Sequence, residues 1–307
     1  MHRAVLLDEV IAWLAPKPGG VYIDGTLGGG GHTRAIAMAV GPTGRVMAMD
    51  HDAGALERAS AALEGCREQC VLVRGSFAGL AEAAVASGLT RVDGVLLDIG
   101  ISSDQLDDPE RGFSFMREGP LDMRMDQTCA ATAADLLNTL PEQALADILR
   151  RYGEEPRARA VARRIVGQRA SDPFVSTSQL ANLVERVYGG RRGRIHPATL
   201  TFQALRIAVN GELEALEKGL ESGLRILAPG GRLAVISFHS LEDRRVKQFF
   251  VEHQGRMESL PEGGAKWVGT PPEMKILTRK PVMATDQECR DNPRARSAKL
   301  RVALRKE

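Results

Sequence analysis

The chain has 307 residues, 43% of them hydrophobic and 26% charged, with a formal net charge of +2. That apolar fraction supports a packed core and excludes wholesale disorder. No apolar run approaches the ~20 residues of a membrane helix, and the near-balanced charge does not by itself announce a nucleic-acid binder.

Asp8 and Glu9 interrupt the first apolar stretch, so the N-terminus lacks a secretory layout and a cytoplasmic protein is expected. Cys66, Cys70, Cys129 and Cys289 form no CxxC pair and have no histidine partner pattern nearby. Neither a metal site nor a disulfide framework is therefore expected, and the thiols read as incidental in a reducing compartment.

The first hundred residues alternate β-rich runs with helical stretches. Strands are predicted at 21–24, 45–50, 70–73 and 92–99, the last buried on both faces, with helices at 33–40, 53–63 and 80–87. This alternation predicts a parallel sheet covered by helices, with ligands at the carboxyl ends of its strands. From 104 to 208 the pattern is helices and polar loops without a convincing strand, which reads as a helical insertion. Ser176 and Gln179 form a predicted capping box ahead of Leu180, Leu183, Val184 and Val187 at helical spacing. The α/β pattern then resumes. A leucine-striped helix through Leu213, Leu216, Leu220, Leu224 and Leu227 is ended by Pro229-Gly230-Gly231. A fifth strand is predicted at 232–238, a helix at 241–251, and late strand-like runs at 275–281 and 299–304 that would complete the sheet.

A turn rich in glycine, residues 24–31, follows the first strand and precedes a helix. Glycine lets a backbone turn sharply and approach a ligand closely. Alone, such a turn could serve a nicotinamide, a flavin or a methyl donor, or be a flexible loop. Counted from Gly28 and Gly30, the dinucleotide fingerprint needs a glycine where Thr33 stands, which disfavours a dehydrogenase. Asp50 ends the second strand, where a carboxylate can accept both ribose hydroxyls of an adenosine cofactor. Phe77 follows the third strand, placed to pack on an adenine, and Asp98 ends the fourth, beside the expected reacting centre. Acids at successive strand ends favour a nucleoside cofactor over simple strand caps.

Longer motifs go further. Asp98-Ile99-Gly100-Ile101-Ser102-Ser103-Asp104-Gln105-Leu106-Asp107 leads to Arg111-Gly112-Phe113-Ser114-Phe115 and Gly119-Pro120-Leu121-Asp122-Met123-Arg124-Met125-Asp126. Later come His196-Pro197-Ala198-Thr199, Thr201-Phe202-Gln203-Ala204-Leu205-Arg206-Ile207, Ser237-Phe238-His239-Ser240-Leu241-Glu242-Asp243-Arg244 and Asn292-Pro293-Arg294-Ala295-Arg296-Ser297. This set, spread over essentially the whole chain, resembles the bacterial small-subunit ribosomal RNA methyltransferase H family, also called MraW.

The resemblance implies an α/β fold of the class I S-adenosylmethionine-dependent methyltransferases. That is a Rossmann-like doubly wound sheet, here formed by 1–103 and 209–307, with a helical insertion at 104–208 expected to recognise the substrate. It implies transfer of a methyl group from S-adenosylmethionine to the N4 amine of one cytidine in the decoding region of 16S rRNA, within the small ribosomal subunit. Cofactor contacts carried over by position are Gly30, Gly31, His32, Asp50, Phe77, Asp98 and Gln105, of which only the resemblance supplies His32 and Gln105. The chain departs from the family pattern at Ala4 and Asp104, each in place of a proline, and at Leu200 in place of an arginine.

A cytosine amine is a poor nucleophile because its lone pair is delocalised, so the enzyme must hold it in line with the methyl group and accept hydrogen bonds from its protons. Asp98, Ser102 and Ser103 are the candidates for that orientation, with Asp122, Arg124, Asn210 and His239 as further polar residues. Positioning of this kind can lower a barrier by on the order of 7 kcal/mol. The target base has to leave its stack, which calls for cationic surface beside the pocket. Arg191, Arg192 and Arg194 in the insertion and Arg294 and Arg296 near the C-terminus are the candidate RNA contacts, set among further arginines at 150–164 and 290–301. With few aromatics among them, they suggest a reader of shape and phosphate more than a stacking platform.

Overall fold

The structure is a computed structural model that describes residues 4–128, 131–191, 193, 195–260, 262–268 and 272–307. The chain divides into one unit made of Met1–Gly100 with Glu214–Glu307 and a second made of Ile101–Leu213.

In the first unit, β1 (Val21–Asp24), β2 (Arg45–Asp50), β3 (Cys70–Arg74) and β4 (Val92–Asp98) pair in parallel. In β2 the run Val46, Met47, Ala48, Met49 is buried on both faces, as expected of strands sandwiched between helices. The helices Gly31–Val40, Ala53–Ala62 and Leu80–Ala86 supply the crossovers. A helix at Leu7–Leu14 precedes them, although the acidic N-terminal sequence gave little sign of it.

The sheet resumes with β5 (Leu227–Ser237), after the helix Glu212–Ile226. It starts earlier than predicted because Val92 pairs with Leu227 and Gly94 with Arg232, leaving Pro229 and Gly230 to bulge out to solvent. The helix Ser240–Gln254 then leads to a hairpin of β6 (Arg256–Ser259) and β7 (Ala265–Val268) that the sequence did not suggest. The predicted strand at 275–281 is two short pieces, β8 (Met274–Ile276) and β9 (Val282–Met283), each antiparallel to β10 (Lys299–Arg305). Between them Leu277 N and Thr278 N both donate to Val302 O while Thr278 Oγ1 accepts from Val302 N, which takes the chain out of the ladder for one loop. The complete order is β3-β2-β1-β4-β5-β10-β8, with β9 beside β10.

The second unit is helical: Ser103–Asp107, Ala133–Thr139, Glu142–Gly153, Ala158–Arg169, Thr177–Tyr188 and Thr199–Asn210. They enclose a core of their own around Leu137, Leu149, Ile165, Phe174, Leu180 and Leu205. The capping box at Ser176 and Gln179 forms as expected. The nearest approach to sheet is one bridge between Pro120 and Ser176. No helix among the described residues is long and apolar enough to cross a membrane.

Candidate active site

The turn after β1 is held from beneath by side chains that do not themselves look catalytic. Asp24 is fully buried and accepts from Thr26 N at 3.1 Å and from Thr33 Oγ1 at 2.6 Å. Thr26 Oγ1 in turn accepts from Asp98 N at 2.7 Å, tying the ends of β1 and β4 together. Gly28 and Gly30 sit at φ +49 and +79, in the left-handed region that glycine adopts without a Cβ penalty. Gly30 leads directly into the helix Gly31–Val40, so the free N–H groups of its first turn open at the carboxyl edge of the sheet.

Asp50 is wired into that turn. Its Oδ2 accepts from Gly28 N and its Oδ1 from Asp52 N, both at 2.9 Å. Burial raises its carboxyl above the ordinary range, opposed by those backbone N–H groups and by His51. Each oxygen keeps a second lone pair, which suits a pair of ribose hydroxyls. Phe77 lies against two glycines: a Cβ on Gly25 would stand 3.1 Å from Phe77 Cβ, and one on Gly219 would stand 2.5 Å from Phe77 Cδ2. The ring is therefore slotted against the helix Glu212–Ile226 at a position where any larger residue would displace it.

Asp98 ends β4 with 23% of its side chain exposed, yet its Oδ1 is covered and has no hydrogen-bond partner among the described residues. Burial pushes its carboxyl up to about 6; His32 opposes that rise, and Asp24 and Glu242 add to it. His32 Nδ1 lies 3.6 Å from Asp98 Oδ2, while its Nε2 is 2.9 Å from the Val5 carbonyl and donates to it. The N-terminal segment thus crosses the turn: a Cβ on Gly31 would stand 2.9 Å from Ala4 Cβ, and Leu6 N donates to Glu288 Oε1 at 2.7 Å.

At the end of β5, Glu242 is fully buried and accepts from Phe238 N at 2.8 Å and His239 N at 3.2 Å. His239 Nδ1 accepts from Glu242 N, so its Nε2 carries the proton that faces Glu242 Oε1 at 3.0 Å. His239 is thereby committed to capping its own helix. Thr26, Thr33 and Glu242 complete this edge, and sequence reasoning missed all three. Their only signal was polarity beside strand ends.

The second unit holds the remaining candidates. Ser102 Oγ accepts from Gln105 N and Gln105 Oε1 accepts from Ser102 N, a capping box that starts the helix Ser103–Asp107. Asp122 and Arg124 form a two-bond pair at 2.9 and 2.7 Å, while Asn210 accepts from Met125 N and donates to Met123 O. These three fix the segment around Met123, whose φ is +61. Arg191 is exposed; Arg192 and Arg194 lie outside the described residues. In the first unit Arg294 is half-buried and Arg296 exposed. Arg301 belongs to the sheet instead, since it is buried against Asp243 with a 2.6 Å bond from Nε.

A sheet of this order, five parallel strands flanked by an antiparallel one, brings Gly28, Asp50 and Asp98 to a single edge. This is the sheet of the class I S-adenosylmethionine-dependent methyltransferases, and the family match assigns the chain to them. The chain belongs to the MraW methylase family, whose model matches residues 1–306. Relatives named ribosomal RNA small subunit methyltransferase H include one from Thermomicrobium roseum, 51% identical over 99% of this chain and 93% of that protein. Others are from Geobacter sulfurreducens (50% identical, covering 98% of each) and Heliobacterium modesticaldum (49%, covering 98% and 97%). Among solved structures, an rRNA methylase from Streptococcus thermophilus aligns over 100% of this chain and 99% of that one, at 11% identity and a TM-score of 0.44.

Proposed function

We propose that this enzyme methylates the N4 amine of one cytidine in the decoding region of 16S rRNA, acting in the cytoplasm on the small ribosomal subunit. The observation that carries the chemistry is Asp98, a partly exposed carboxylate at the strand end beside the cofactor turn. An exocyclic amine offers N–H donors to the exposed side of a carboxylate in that position. The names of the relatives support small-subunit rRNA as the acceptor.

In this reading Gly30, Gly31 and His32 meet the cofactor along the turn, Asp50 takes its ribose, Phe77 its adenine, and Asp98 and Gln105 complete the set. S-adenosylmethionine supplies an electrophilic methyl group on a sulfonium centre. Asp98 accepts a hydrogen bond from the amine and so directs the nitrogen lone pair, with Ser102 and Ser103 assisting. The amine becomes acidic once methylated and releases its proton to solvent, so no strong base is needed. The helical unit recognises the substrate. Arg191, Arg192 and Arg194 there, and Arg294 and Arg296 in the other unit, contact phosphates.

The test is transfer of labelled methyl groups to small subunits from a strain lacking the gene, followed by nucleoside analysis. Wild-type protein is expected to restore one N4-methylated cytidine and Asp98→Ala to abolish it. Absence of transfer to rRNA together with efficient turnover of a small metabolite would overturn the proposal.

A further inference from the structure

The sequence offered few aromatics beside its arginines, but the helical unit assembles a ring cluster from distant positions. Phe115 lies 4.6 Å from His196, centroid to centroid, and 4.8 Å from Phe202 in an edge-on arrangement. His196 is fixed on both sides: Nδ1 accepts from Ala198 N at 3.1 Å, and Nε2 points to Glu185 at 3.5 Å. Phe202 is buried, so the cluster is rigid and rooted in the core of its unit.

What this rigid cluster presents to solvent is unusual for a structural core. Met116 and Ile195, the chain neighbours of the two stacked rings, are 79% and 73% exposed. Single exposed apolar residues are ordinary, but two that each adjoin a ring of one anchored stack offer a contact surface. Arg117 follows Met116, and Arg191 lies on the segment leading to His196. Both are exposed, and neither guanidinium has a partner among the described residues. Two carboxylates close in sequence are engaged elsewhere: Glu118 accepts from Ser178 Oγ at 2.7 Å and Glu185 faces His196.

Apolar side chains on a rigid base beside unpaired guanidinium groups complement one chemistry, a strand whose bases are unstacked and whose phosphates are exposed. We propose that the Phe115–His196 stack anchors a docking surface for unpaired nucleotides of RNA, with Met116 and Ile195 packing on bases and Arg117 and Arg191 meeting phosphates. This rests on the RNA-methylation reading and names the face of the helical unit that serves it.

The test measures binding of the full-length protein to a fluorescein-labelled single-stranded RNA of about 20 nucleotides, and to the same sequence as a duplex. Met116→Ser with Ile195→Ser is expected to weaken single-strand binding roughly fivefold or more and to leave duplex binding little changed. Arg117→Gln with Arg191→Gln is expected to flatten the dependence of log K on log salt by about 1.4, the release expected for two phosphate contacts on a single strand. Cofactor affinity, measured by calorimetry, should be unaffected in both. If the serine pair does not fold, the salt slope of the glutamine pair decides alone. Unchanged single-strand affinity and an unchanged slope overturn the proposal. So does a loss seen only with intact small subunits, which would assign the face to a ribosomal protein. A wild-type chain that methylates rRNA while the variants bind normally defeats this surface alone; a wild type that binds and methylates no RNA defeats the functional reading itself.

Discussion

The backbone N–H of Gly28 donates to Asp50 Oδ2 at 2.9 Å, so the glycine turn and the acid at the end of β2 are one structure. A cofactor that pulls on the carboxylate also pulls on the turn. The site is organised before anything binds, which lowers the ordering cost of binding.

Removing that carboxylate should therefore cost more than its ligand contacts. Asp50→Ala leaves the Gly28 and Asp52 N–H groups without their acceptor, and on the proposed reading the cofactor ribose as well. Hydrogen bonds to charged groups contribute about 1.5–3 kcal/mol each, so calorimetry should show S-adenosylmethionine binding weakened by about 10-fold to 100-fold or beyond. Asp50→Asn keeps one oxygen for the backbone and should lie between alanine and wild type. Equal losses in the two variants would show that the link to the turn contributes nothing.

Gly219 sets two effects against each other. Alanine in a helix interior is favoured over glycine by about 1 kcal/mol. Here, however, its Cβ would stand 2.5 Å from Phe77 Cδ2 and 3.5 Å from Phe77 O, and overpacking of this kind costs about 1–3 kcal/mol. The clash should prevail. Gly219→Ala is expected to lower the unfolding temperature by a few degrees and weaken cofactor binding as the ring is displaced. Adding Phe77→Leu should restore the unfolding temperature but not the affinity, a split that thermal melts and calorimetry resolve.

The strands β1, β2 and β4 were legible because burial on both faces gives nearly unbroken apolar runs, and Asp50 and Asp98 stood out because they end such runs; β3, at the sheet edge and half-exposed, was legible from its β-branched and apolar residues alone. The supports were not. Thr26, Thr33 and Glu242 look like ordinary polar residues in sequence, and only three-dimensional pairing shows them holding Asp24, Asp98 and His239. Arg301 gave no sign in sequence of its place in the sheet for the same reason, since its partner Asp243 is distant in the chain. The strand expected at 275–281 broke because Thr278 satisfies Val302 with its side chain instead of continuing the ladder. The ring cluster around Phe115 was invisible because its members belong to separate motifs.

Asp98 links stability to pH with a sign opposite to that of most paired carboxylates. Burial lifts it from an ordinary 3.8 to about 6, with Asp24 and Glu242 adding to the rise and His32 opposing it. Between those values the unfolded chain is ionised and the folded one neutral, so folding takes up a proton. The stabilisation is complete below about 3.8 and is lost as pH rises through about 6. At pH 8 the folded protein carries a buried charge at a cost of at most about 3 kcal/mol, from roughly two pH units at 1.36 kcal/mol each. Asp98→Asn removes that charge. Its unfolding temperature should match wild type below about pH 3.8 and exceed it by several degrees at pH 8, while methyl transfer collapses. The wild-type kcat/KM should fall as pH drops through about 6, where the free enzyme's carboxylate is neutralised and no longer directs the amine. A stability difference that is the same at both pH values, with a flat acid limb in kcat/KM, would show that Asp98 neither carries the buried charge nor orients the substrate.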